Sequence, residues 1–136
     1  MKKLPVTATP RAVELATAAA LAASDKQASD IVILDVSEPL VITDCFVLAS
    51  ASNDRLVRAV VDEVEERLRG LGVKPLRREG HQEGRWVLLD FGDVVVHVQH
   101  AEEREFYRLE RLWKDCPVIE FVDPDLPDLA RAGADS

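Results

Sequence analysis

Gly84-Arg85-Trp86-Val87-Leu88-Leu89-Asp90-Phe91-Gly92-Asp93-Val94-Val95-Val96-His97-Val98-Gln99 is the stretch whose reading decides the fold. Two apolar, β-branched runs flank Gly92-Asp93, and glycine in the first of two turn positions fits a type II′ hairpin. The turn sets the register: Phe91 opposes Val94, Leu89 opposes Val96, and Val87 opposes Val98. Side chains alternate along a strand, so all six share one face. Every one is apolar, and that face is assigned to the core. The other face sets Trp86, Leu88 and Asp90 against Gln99, His97 and Val95, large apolar groups mixed with polar ones. Two readings of it stand side by side. A helix covers it as ordinary core, or part of it is open and forms an aromatic protein-binding patch with a polar rim.

Outward from the hairpin, the pattern alternates between helix and strand. Upstream, Thr9-Pro10 reads as an N-cap and a first-turn proline for a helix over 10–27, with Ala12, Leu15, Ala16, Ala19, Ala22 and Ala23 on one small-residue face. Asp30 to Val36 and Cys45 to Ala49 are apolar runs of strand length, separated by Glu38-Pro39. Leu56, Val57, Val60, Val61, Val64 and Leu68 form the apolar stripe of a helix over 54–69, ended at Gly70 and Gly72. A connector with a possible short strand covers 71–78, and the polar, glycine-flanked 79–84 is a loop. Downstream, Glu102 and Glu103 suit the positive end of a helix running to about Lys114 and stopped by Pro117. Phe106, Leu109 and Trp113 fall on one stripe of that helix as sheet cover, and Tyr107 falls off it as the better surface candidate.

Length and charge narrow the function classes. At 136 residues the chain has room for one domain with its own core, here 9–122, preceded by a flexible arm at 1–8 and followed by an acidic, disordered tail at 123–136. The net charge is −8, from 25 acids against 17 bases, which argues against a phosphate-backbone partner and suits a basic protein. Nothing resembles a signal peptide or membrane span, so the expected location is the cytoplasm. Cys45 and Cys116 are too few for a disulfide scaffold and are read as reduced thiols. His97 and His100, with His81 remote, lack the spacing of a metal site. No Gly-x-Ser-x-Gly, dinucleotide fingerprint or phosphate loop is present, and a Cys45–His97 or Cys45–His81 nucleophile pair is the weaker reading of a cysteine set inside an apolar strand. No metal and no cofactor are expected.

Several motifs, in order, resemble one family. Thr43-Asp44-Cys45-Phe46-Val47-Leu48-Ala49-Ser50 with Ser52-Asn53-Asp54-Arg55, the run Gly84 to His97, and Glu103-Arg104-x-Phe106-Tyr107-x-Leu109-Glu110-x-Leu112-Trp113 are similar to the Iojap-type ribosomal silencing factors over about residues 9–121. Ala51 and Gln99 depart from that family's usual glycine and Phe or Met. The resemblance implies an α/β (α+β) fold, a mixed sheet flanked by helices, nucleotidyltransferase-like without the catalytic Asp-x-Asp pair. It implies a homodimer when free that binds ribosomal protein fourteen of the large subunit and blocks joining of the small one; the acidic balance adds the expectation of little direct nucleic-acid contact. The expected contact residues are Trp86, Leu88, Asp90, Val95 and His97 on the hairpin, with Arg104, Phe106, Tyr107, Leu109 and Trp113 after it. The competing readings are a divergent nucleotidyltransferase and a dimeric scaffold for another partner.

Overall fold

The computed structural model describes residues 6–122. The expected tail at 123–136 and the first five residues of the expected arm lie outside them. The rest of the arm is tied to the domain: the Thr7 and Ala8 amides both donate to Asp35 Oδ2, at 2.7 and 3.1 Å. Thr9 then caps helix α1 (Pro10–Asp25), its hydroxyl accepting from the Ala12 amide at 3.1 Å. Strands β1 (Ser29–Asp35) and β2 (Cys45–Ala51) come after it. Asn53 caps α2 (Asp54–Arg69) through a 2.8 Å bond from the Leu56 amide. That helix ends in a Schellman turn. Gly72 takes φ +87°, its amide donates to Arg69, and the Val73 amide reaches back to Leu68. Gly70 keeps a right-handed helical conformation, so Gly72 is the glycine that the stop requires.

Next come the short edge strand β3 (Arg77–Glu79) and the hairpin strands β4 (Trp86–Asp90) and β5 (Val94–His100). The hairpin adopts the register that its turn dictates, with Leu89 opposite Val96, Val87 opposite Val98, and Trp86 opposite Gln99. Gly92 sits at φ +92° and Asp93 does not share a positive φ, as a type II′ turn needs. The Asp90 carboxylate accepts from the Gly92 amide at 2.9 Å and clamps the turn.

The five strands run in the order β1-β2-β5-β4-β3, with β2 and β5 parallel and every other pair antiparallel. On one face α1 and α2 cover Val87, Leu89, Phe91, Val94, Val96 and Val98, all buried as the hairpin argument expects. The alanine face of α1 packs on α2 and the sheet, small side chains letting the backbones come close. On the other face the cover is smaller, and here the single helix expected to run to Lys114 is corrected. The chain forms α3 (Ala101–Tyr107), takes a left-handed turn at Arg108 (φ +47°), and resumes as the four-residue α4 (Leu109–Leu112). A left-handed turn costs a non-glycine residue about 1–2 kcal/mol. Three contacts that a straight helix forbids offset it. Arg104 meets Glu110 six residues on, Leu109 drops among Leu34, Val36 and Leu48, and Trp113 lands edge-on against Phe46. The helical stripe is therefore broken: Leu109 is buried and Phe106 points to solvent.

Past the expected helix stop at Pro117, the chain runs back along the free edge of β1. The Asp35 amide donates to the Pro117 carbonyl and the Ile119 amide to the Ile33 carbonyl, both at 2.9 Å, with Leu34 and Val118 bridged antiparallel. The sheet edge is thereby partly covered.

Candidate docking face

The second sheet face has two halves. Over β1 and β2, α4 closes a small cluster of Leu34, Val36, Leu48 and Leu109, with Phe46, Trp86 and Trp113 partly buried against it. Over β5, β4 and β3 the cover thins out, and Trp86, Leu88, Asp90 and Val95 are each half-buried. The pairing of Arg77 with Asp90 and Glu79 with Leu88 puts a charged border on this open half. Arg77 lies 3.1 Å from Glu79 and 4.0 Å from Asp90.

Aromatic rings run across the face in an unbroken row. Trp113 meets Phe46 at 5.5 Å between centroids, Phe46 meets His97 at 4.9 Å, and His97 meets Trp86 at 6.1 Å. Trp86 then meets Tyr107 at 4.9 Å, and Tyr107 meets Phe106 at 4.9 Å. The row begins in the covered half and ends in solvent, with Tyr107 47% and Phe106 79% exposed. A phenylalanine held that far out against a neighbouring ring gains little for the fold, and such exposed, rigid aromatic groups are what a partner's surface buries.

The ten residues named from the sequence thus divide by depth. Trp86, Leu88, Asp90, Val95, Phe106 and Tyr107 are brought together on or beside the open half. His97 and Arg104 are buried beneath that surface, Leu109 is buried in the covered half, and Trp113 is half-buried at the far end of the row. Beneath the face lies a polar cluster. His97 Nδ1 accepts from Trp86 Nε1 at 3.2 Å, and burial, with Arg104 beside it, pushes the imidazole pKa down to about 4. The Arg104 Nε donates to Glu110 at 3.0 Å. Burial works to raise the Glu110 pKa, but Arg104 and the residue's own backbone amide outweigh it, and the carboxyl is held below its ordinary value. His97 Nε2, the Gln99 side-chain amide and Arg104 Nη1 are buried without a hydrogen-bond partner among the described residues.

Cys45 belongs to the opposite, core face and pairs with Val94 there, so it cannot reach His97. Burial, with Asp35, Asp44 and Asp93 nearby, pushes its thiol pKa up to about 12. Among the described residues no three His, Cys, Asp or Glu side chains are grouped to hold a metal ion. No described helix is long and apolar enough to cross a membrane.

The sequence pattern did not single out the loop before β2, where Val41 and Ile42 stand 96% and 86% exposed, or Leu112 on α4, 73% exposed. An adjacent pair of β-branched residues between Pro39 and Asp44, outside any strand, was the available signal.

The family model described as ribosomal silencing factor during starvation matches residues 9–136. The chain belongs to the ribosomal silencing factor family. Ribosomal silencing factor RsfS of Bacillus subtilis is 41% identical to it, covering 75% of this chain and 86% of that protein. RsfS of Halalkalibacterium halodurans is 39% identical over 79% of this chain and 92% of its own length. The chloroplastic protein Iojap of Zea mays is 32% identical, with 79% of this chain matching 47% of that longer protein. Two solved structures share the fold. One, from Bacillus halodurans, has a TM-score of 0.70 at 37% identity, covering 79% of this chain and 98% of that one. The other, from Chromobacterium violaceum, has a TM-score of 0.72 at 33% identity, covering 82% and 90%. The mixed sheet flanked by helices that the resemblance implied is therefore the fold of this silencing factor family chain.

Proposed function

We propose that this silencing factor works without catalysis, by docking on the large ribosomal subunit and keeping the small subunit from joining it. The surface that docks is the open half of the second sheet face, and the element it meets is the large subunit's ribosomal protein fourteen. Free in the cytoplasm, the chain is a homodimer. Nutrient limitation is the condition under which the block lowers translation.

The observation that carries this reading is the exposed end of the aromatic row. Phe106 and Tyr107 stand out from the fold beside Trp86, Leu88 and Val95, and charged side chains border the patch. An apolar centre with a charged rim is the anatomy of a protein interface. The chain's charge of −8 complements a basic ribosomal protein and steers the encounter.

The test is sedimentation of the purified chain with large subunits through a sucrose gradient, with and without small subunits. The expected outcome is co-migration with large subunits and fewer joined ribosomes. Trp86→Ala, verified as folded by circular dichroism, is expected to lose both effects. A native chain that stays at the top of the gradient would refute the proposal.

A further inference from the structure

Beneath the open face lies a buried histidine, His97, joined to the half-buried Trp86. Trp86 lies at the middle of the aromatic row, with Tyr107 packed on its ring and Phe106 packed on Tyr107. A half-buried indole on a strand has several rotamers, and packing alone does not choose among them. Among the described residues its N–H bonds to His97 Nδ1 across the β4–β5 pair, the residue set diagonally to Trp86. His97 itself is only 6% exposed. Its ring is fixed on the other side by the edge of Phe46 at 4.9 Å. Accepting at Nδ1 requires that the imidazole be neutral with its proton on Nε2. Burial disfavours a second proton, and the positive Arg104 beside it adds to the effect.

We propose that His97 is the positioning residue of the docking face: as a neutral hydrogen-bond acceptor it locks the Trp86 indole in the orientation on which Tyr107 and Phe106 stack. This rests on the docking role proposed above. His97 contributes no surface to the partner. It contributes preorganisation, so that ring freedom is not lost again when the partner binds. Arg104 has a supporting part, since its bond to Glu110 holds α3 and α4 over the imidazole and its charge keeps that imidazole neutral. The arrangement also accounts for a histidine at a buried strand position, where an apolar residue would pack without leaving Nε2 unpartnered.

Two substitutions separate the acceptor from the ring. His97→Phe keeps an aromatic ring against Phe46 and removes the acceptor. His97→Asn removes the ring but places its amide oxygen where Nδ1 stood. The chain has two tryptophans, so its nitrogen–proton spectrum has two indole signals, and Trp86→Phe identifies the one from Trp86. Each variant is measured twice: the position of the Trp86 indole signal, and the affinity for purified large subunits. The expected result is that His97→Phe moves the signal toward that of a free indole and weakens binding about tenfold, the loss of one well-placed hydrogen bond. His97→Asn, which is less well packed, is expected to keep both the signal and most of the affinity. A melting curve shows that each variant is folded, and if His97→Phe does not fold, His97→Asn alone decides: keeping both the signal and the affinity supports the proposal, and losing either overturns it.

The proposal is overturned if His97→Phe moves the indole signal while affinity stays unchanged. It is equally overturned if His97→Asn keeps the signal but loses binding. In both cases the native chain still binds and the docking role survives. If the native chain does not bind large subunits, the docking role fails and the positioning role falls with it.

Discussion

The two faces of the sheet are built to different rules. One is closed by two sixteen-residue helices over an unbroken apolar surface, and its polar groups are at the periphery. The other is roofed by a seven-residue and a four-residue helix joined through a left-handed arginine. It keeps a histidine, a glutamine and an arginine buried, leaves polar atoms without partners, and puts a phenylalanine in solvent. A sheet that needed only stability would have two faces like the first. The second tolerates local costs of the kind that collect where a protein meets something else.

Substitutions on the closed face should be the most damaging to stability and the least specific to function. Leu89→Ala removes a fully buried side chain between the helices and the sheet. It is expected to lower unfolding free energy by about 2–5 kcal/mol in urea titration, while the fraction still folded binds large subunits with native affinity. A loss of affinity in folded Leu89→Ala would blur the distinction between the faces.

Acid should act next, through the open face. In the unfolded chain the His97 imidazole takes a proton near 6.5, whereas in the fold burial and then Arg104, itself paired with Glu110 of α4, hold it neutral down to about 4. The unfolded state therefore binds more protons between those values, so stability is full above pH 6.5 and is lost as pH falls toward 4. The expected contribution is on the order of 3 kcal/mol, read as a slope in chemical denaturation across that range. His97→Phe should flatten the slope. The carboxylates held low, such as Asp35, lose their contribution at more acidic pH and leave the comparison intact.

Much of the closed face was legible in the chain because its signals are local. Gly92-Asp93 fixes the hairpin register, Asn53 starts α2, and the valine stripe aims it. The half of the candidate site on β4 and β5 came from the same register, since alternation alone puts Trp86, Leu88, Asp90 and Val95 together. The segment after the hairpin was not legible. The periodicity of 101–114 fits one helix, and only contacts with distant residues break it: Leu109 with Leu34 and Leu48, Trp113 with Phe46. The burial of His97 and Arg104 depends on that break, and so could not be anticipated. The return of Pro117–Ile119 along β1 is likewise a pairing across more than eighty residues, with no turn to announce it.

Gln99→Met would sharpen the contrast by making the open face more like the closed one. It replaces a fully buried amide that lacks partners with an apolar chain of similar length, and should stabilise the fold by about 1–2 kcal/mol in thermal denaturation. The smallest expected effect on stability is that of Phe106→Ser. Its ring is mostly exposed, so the change should lie within about 0.5 kcal/mol, yet binding to large subunits should weaken more than tenfold. Parallel losses of stability and affinity would mean that the ring serves the fold.

Hydroxyl-radical footprinting of the chain, free and bound to purified large subunits, tests most directly which face docks. Trp86, Leu88, Phe106 and Tyr107 should lose reactivity in the complex, while Val118, exposed at the far β1 edge of the sheet, keeps its own. Protection of Val118 with Phe106 and Tyr107 unchanged would contradict the assignment of the open half as the docking face.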